Sequence, residues 1–160
     1  MKNQTLIIID MQEKFYASAD RDTQIAVIEN IIKARLAHIP IVIVEYSPNG
    51  WGGTLPCIME ALGHYTEVLF VEKNNNDGGQ EVEEVLVENS LAGSELLVCG
   101  IEIAHCINET ISTLVRDFSE RVKVLSRACC CSKLHTGDML SRDDIFDKHS
   151  IYQHELVEVV

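Results

Sequence analysis

Three residues of the kinds that carry out hydrolytic chemistry each lie at or just beyond an apolar run of strand length. Asp10 closes "TLIIID", Lys73 closes "EVLFVEK", and Cys106 follows shortly after "ELLVCGI". In an open parallel α/β sheet, ligands bind beyond the carboxyl ends of the strands. These spacings would therefore bring a carboxylate, an amine and a thiol to one edge. Cys106 would fall in the first turn of the helix "AHCINETISTLVRDF". Free N–H groups and the macrodipole at such a place lower a thiol pKa and can hold an oxyanion. Asp10, after three isoleucines, is expected to be partly buried, which raises a carboxyl pKa and suits proton transfer. Lys73 would stabilise a nearby thiolate or hold a carboxylate ionised. Each residue also has a plainer reading: Asp10 as a local cap, Lys73 as a solvated lysine, Cys106 as a buried structural thiol. His105 is set aside as a partner base, because adjacent helical residues point about 100° apart.

The elements that must position these groups follow from periodicity. Apolar runs predict strands over 5–10, 39–46, 67–73, 95–101 and 121–126, with a last one in "ELVEVV". Helices are predicted over 23–38, 80–93 and 104–118, with a last one in "MLSRDDIFDKHS". In the first, Ile25, Ile28, Ile32 and Leu36 recur at helical spacing, widened by Val27 and Ile31. Gly93 would stop the second. Strands without polar alternation, separated by helices, indicate a parallel sheet covered on both faces. The expected fold is α/β, a three-layer α/β/α sandwich with a mostly parallel, Rossmann-like sheet of about five to six strands. The carboxyl ends would then present Asp10, Glu45, Lys73, Gly100 leading to Cys106, and finally Ser126 and Arg127. The stretch 46–66 reads as one long irregular insertion, a length often given over to function, and its Tyr46 and Trp51 could wall a pocket.

The chain has 160 residues, enough for a single domain over 1–160 with its own core. Thirteen basic residues against twenty-five acidic ones give a net charge of −12, which argues against nucleic acid or an anionic membrane as partner. No segment approaches the roughly 20 apolar residues that span a bilayer. "MKNQTLIIIDMQ" lacks the features of a signal peptide, so a cytoplasmic, reducing location is expected. The six cysteines, three of them adjacent at Cys129, Cys130 and Cys131, suit neither a zinc pattern nor a disulfide framework.

Taken together, "LIIIDMQEKF", the lysine ending the third strand, and "VCGIEIAHCINETISTLVRD" resemble the isochorismatase-like cysteine hydrolase family. That family includes nicotinamidases, N-carbamoylsarcosine amidohydrolase and isochorismatases. The resemblance runs roughly from Thr5 to Ser132, and its D-x-Q motif is matched by Asp10 and Gln12. It implies a catalytic triad of Asp10, Lys73 and Cys106 acting through a thioester, without a cofactor. It also implies a cis peptide between Ile101 and Glu102, with the Glu102 and Cys106 N–H groups forming an oxyanion hole. Phe15, Tyr46, Trp51 and Ile103 become substrate-binding candidates, the partner a small-molecule substrate, and a homo-oligomer is expected.

Three departures shape the expected chemistry. Nicotinamidases of the family carry an Asp-x-His metal site after the second strand, where this chain has "VEYSPNGWGG". His38 and His64 stand too far apart in sequence to replace it, so no catalytic metal is expected. A Ser-Ala-Phe-like segment after the lysine is replaced by "NNNDGG", expected to form a polar, flexible wall. Arg127 and Ala128 stand where the family often has Asp-Ala. The reading that follows is a metal-independent hydrolase of a small amide, ureido or carbamoyl C–N bond. The alternatives are a small-molecule-binding member of the fold with little or no turnover, and a thiol redox sensor pairing Cys106 with Cys129–Cys131.

Overall fold

The structure, a computed structural model, describes residues 3–133 and 136–160, the Pro48 side chain excepted. Six strands form one sheet: β1 (Gln4–Ile9), β2 (Ile41–Tyr46), β3 (Val68–Lys73), β4 (Glu95–Ile101), β5 (Arg121–Cys130) and β6 (Val157–Val159). The order is β3-β2-β1-β4-β5-β6, and every pairing is parallel. Parallel strands need long crossovers, which the helices supply. These are α1 (Arg21–Leu36), α2 (Pro48–Trp51), α3 (Pro56–Leu62), α4 (Gly79–Glu88), α5 (Asn108–Phe118) and α6 (Arg142–Lys148). α1 packs with α3, and α4 with α5. The central strand shows why no alternation was visible in the sequence: Leu6, Ile7, Ile8 and Ile9 are all buried, one face of the strand meeting each helical layer. No helix among the described residues is long and apolar enough to cross a membrane.

Four expectations need correction. α1 buries Val27 and Ile31 as expected but turns Ile25, Ile32 and Leu36 outward, with Thr23, Ala26 and Ala34 buried in their place. Small residues at 26 and 34 let the helix lie close to the sheet, so the larger apolar stripe faces away. α4 ends at Glu88 rather than at Gly93: Ser90 takes a left-handed φ of 59°, and the Leu91 N–H returns to the Leu86 carbonyl at 2.7 Å. The segment 46–66 is not irregular but holds α2 and α3, the latter opened by Pro56, which suits a first helical position. Finally, β5 runs past Ser126 and Arg127 to Cys130. The exposed Arg127 mimics a strand end in sequence, yet the carboxyl end of β5 is Cys130, leading to Cys131 and Ser132.

Candidate active site

β1 has β2 on one side and β4 on the other, so the chain winds away in both directions from the β1/β4 boundary. A crevice opens beyond the strand ends at such a switch point. Asp10 leaves β1 there, and the segment carrying Cys106 leaves β4. Asp10 has a left-handed φ of 54°, uncommon for a residue with a side chain. Its N–H is tied to the Val44 carbonyl at 2.9 Å, and its own carbonyl accepts from Gln12 N–H at 2.7 Å. Lys73 starts two strands away. Neighbouring strands lie about 4.8 Å apart, so only a long side chain can cross β2, and the Lys73 ammonium passes 4.8 Å from the Tyr46 ring centroid. It ends 2.9 Å from Asp10 Oδ2, with both side chains fully buried. The Asn75 and Asn76 carbonyls accept from the same ammonium at 3.1 and 2.8 Å.

Cys106 lies in a π-helical turn, Ile103–Ile107, ahead of α5 rather than in the first turn of α5 itself. The Ile107 N–H reaches back to the Glu102 carbonyl at 3.1 Å. π-turns are rare and frequent at functional sites. The Ile101–Glu102 peptide is cis. Electrostatics differs from the simplest sequence argument. Burial, reinforced by the Asp10 charge, pushes the Cys106 thiol up to about 12, and Lys73 only partly offsets this. The resting group is therefore a thiol. Burial also raises the Asp10 carboxyl, against the lowering effects of Lys73 and the nearby thiol. Neither Asp10 oxygen holds a well-aligned hydrogen bond; Lys73 and Cys106 act on it at short range without directional geometry. An acid with a raised pKa beside a thiol with a raised pKa forms a pair in which one proton can move with little change in net charge.

Gln12 fastens the surroundings. Its amide donates to the Tyr46 and Gly52 carbonyls at 3.2 and 2.6 Å and accepts from Tyr46 N–H at 2.7 Å. Trp51, next in the chain to Gly52, is stacked on Phe15 with ring centroids 4.6 Å apart. These two line a cavity of about 270 Å³ together with Lys14, Tyr16, Glu102 and Ser132. Tyr46 packs behind Trp51, at 6.0 Å between centroids. Ile103 does not line the cavity: it is fully buried, and its carbonyl accepts from Tyr152 Oη at 2.6 Å. Larger clefts, about 340 and 700 Å³, lie among Glu95, Lys123 and their neighbours at the amino edge of the sheet, away from the thiol.

The "NNNDGG" segment is a fastened strap, not a flexible wall. Asn76 Nδ2 donates to Glu109 Oε1 at 3.1 Å, Thr113 Oγ1 to Asp77 Oδ2 at 2.6 Å, and Gly78 N–H to Thr110 Oγ1 at 3.0 Å. A Cβ at Gly78 would lie 2.7 Å from Lys73 Cδ, and one at Gly79 2.5 Å from Thr113 Cβ. Gly78 lets the strap close onto the lysine, and Gly79 lets it close onto α5. The sequence signalled neither Asn76, one of three identical neighbours, nor Glu109, an ordinary helical glutamate. Glu102 also has an unforeseen contact: its carboxylate accepts from Ser132 N–H and Oγ at 2.8 and 3.1 Å.

Metal donors do not gather here. Among the described residues no three of His, Cys, Asp and Glu are grouped so as to hold a metal ion. Glu45, at the end of β2, has Oε1 engaged by the N–H and hydroxyl of Thr54 at 2.8 and 2.7 Å.

A six-stranded parallel α/β sheet with acid, amine and thiol at its switch point defines the class of protein. The chain belongs to the isochorismatase family, whose Isochorismatase domain it matches over residues 4–146. It is 31% identical over 131 residues to isochorismatase domain-containing protein 2 of Xenopus laevis, covering 80% of this chain but only 60% of that relative. Its fold is similar to the MAR1 ribonuclease structure from Caenorhabditis elegans, with a TM-score of 0.77 at 23% identity, over 99% of this chain and 76% of the other. It is likewise similar to the nicotinamidase SaPncA from Staphylococcus aureus, with a TM-score of 0.75 at 15% identity over the full length of both.

Proposed function

We propose that the protein is a metal-independent cysteine hydrolase that cleaves a C–N bond of a small amide, ureido or carbamoyl compound. The observation that carries this reading is the buried Asp10–Lys73 pair at 2.9 Å beside the Cys106 thiol. Asp10 takes the thiol proton as Cys106 Sγ bonds to the carbonyl carbon, and the Glu102 and Cys106 N–H groups receive the developing oxyanion. The C–N bond then breaks as Asp10 returns that proton to the nitrogen, leaving a thioester. Water, giving its proton to Asp10, attacks the thioester; collapse releases the acid and passes the proton back to sulfur. Lys73 balances the carboxylate throughout. The small cavity and its Phe15–Trp51 wall favour a compact substrate with a flat or apolar part. One structural relative is named a ribonuclease, but a net charge of −12 offers little to an RNA backbone.

The test is a screen of small amides, ureas and carbamoyl amines for ammonia release, with mass analysis of the intact protein for an acyl adduct. Cys106→Ala is expected to lower turnover of any responsive compound by at least about 10³-fold. Turnover that survives this change removes Cys106 as nucleophile. A second reading, a binding member without turnover, is favoured by one observation: Cys106 is only 3% exposed, and no triad residue lines the cavity. A compound that raises the melting temperature yet gives neither ammonia nor adduct would select it.

A further inference from the structure

Asn76 touches both halves of the buried cluster. Its backbone carbonyl accepts from Lys73 Nζ at 2.8 Å, while its side-chain Oδ1 stands 3.7 Å from Cys106 Sγ as the acceptor of the thiol. Its Nδ2 donates to Glu109 Oε1 at 3.1 Å. An ionised carboxylate can only accept, so Glu109 takes the amino end of the amide and leaves the oxygen for sulfur. Asp10, meanwhile, has no aligned hydrogen bond at either oxygen. Asn76 Oδ1 is therefore the aligned acceptor for the resting S–H, while Asp10 stands close enough to the same sulfur to compete for its proton.

We infer that Asn76, oriented by Glu109, is a positioning residue that holds the Cys106 proton off Asp10 in the resting protein. The nucleophile is stored as a thiol. Rotation of the S–H away from Asn76 and onto Asp10 precedes the step in which the proton moves to the carboxylate and sulfur bonds to carbon. A stored thiol is also a poor target for oxidants and alkylating agents, which react with thiolates. The consequence for turnover rests on the reading of Cys106 as nucleophile; the hydrogen bond itself does not.

The S–H stretch in the infrared reads that bond directly. Subtracting the spectrum of Cys106→Ala isolates Cys106 from the other five thiols. In Asn76→Ala the band is expected to move to lower frequency, because the S–H then turns onto the charged Asp10 carboxylate, a stronger acceptor than an amide oxygen. Alkylation of Cys106 by iodoacetamide, followed by peptide mass, should quicken about threefold to tenfold. Loosening of the strap alone would also speed alkylation, so the deciding variant is Asn76→Asp. It sets a second carboxylate against Glu109, and its charge beside sulfur should slow alkylation even as the strap loosens. Adding Glu109→Gln supplies a donor again and should return the S–H band toward its original position. An unmoved band in Asn76→Ala, or faster alkylation in Asn76→Asp, overturns the inference. Should the Asn76 variants not fold, Glu109→Ala leaves Asn76 in place but removes the acceptor that orients its amide; an unmoved band there overturns it equally. Moved bands without any turnover remove the hydrolase reading and keep this one, and turnover with unmoved bands does the reverse.

Discussion

Lys73→Met is expected to destabilise the protein by about 3–5 kcal/mol at neutral pH and to abolish turnover. The change leaves the fully buried Asp10 carboxylate without its only cation among the described residues, and strips a donor from the Asn75 and Asn76 carbonyls. Asp10 is already raised by burial, and Lys73 is the largest influence opposing that rise, so without it the carboxyl stays protonated to higher pH. The sign follows from linkage. A folded value above the unfolded one means that the unfolded chain releases its proton first, and stability is lost as pH rises from the unfolded value, about 4, through the folded one. Inside that window the loss is about 1.4 kcal/mol per pH unit, and in Lys73→Met the window extends upward. Asp10→Asn should behave differently. The Lys73 ammonium retains two carbonyl acceptors, so stability changes less, while removal of the base lowers turnover by about 10²–10⁴-fold. The double variant should be more stable at neutral pH than Lys73→Met alone. Urea unfolding from about pH 4 to about pH 8 checks all three; a Lys73→Met protein as stable as wild type would mean that the pair is not held as described.

Gly100→Ala is expected to cost at least about 3 kcal/mol and to lose activity in whatever fraction still folds. Gly100 has φ +120°, a conformation that side chains rarely adopt, and a Cβ there would run into the Ile9 carbonyl oxygen, with Ile9 N at 2.8 Å. Contact is this close because β1 and β4 meet where both are about to end. Ile9 immediately precedes Asp10, and Gly100 stands two residues before Glu102. Pushing the strands apart therefore moves the base and the nucleophile segment away from each other. Gly53→Ala is the control, since a Cβ at Gly53 meets nothing within 4 Å, and its effect should stay within about 0.5 kcal/mol. Equal melting temperatures for the two variants would refute the argument.

The central strands were legible because burial on both faces leaves an unbroken apolar run, as in β1, and two helical layers then follow of necessity. Asp10 and Lys73 were legible as strand-end residues for the same reason. The face of α1 was not, because one helix carries two apolar stripes, and close approach to the sheet selects Ala26 and Ala34 over the larger Ile25 and Ile32. The end of β5 was hidden because its pairing with β4 breaks after Val124 and resumes at Cys129, and the exposed Arg127 lies in the irregular stretch between. At the site, residue types suggested which groups could meet but not how protons would be distributed among them. Helix-terminus reasoning led toward a thiolate, whereas burial and the Asp10 charge outweigh it and leave a thiol. Nor could sequence separate Asn76 from Asn74 and Asn75, since only the strap's attachment to α5 gives the three asparagines different work.

Trp51 is the chain's single tryptophan, partly exposed at 39% and stacked on Phe15 at the mouth of the cavity. Its emission therefore comes from one known place. A compound that slides against the Phe15–Trp51 wall must displace water from that indole or disturb its stacking, and the fluorescence should change with occupancy. Titration of the unlabelled protein would then rank candidate substrates by dissociation constant before any of them is shown to react. Trp51→Phe should silence the signal while leaving an aromatic wall in place.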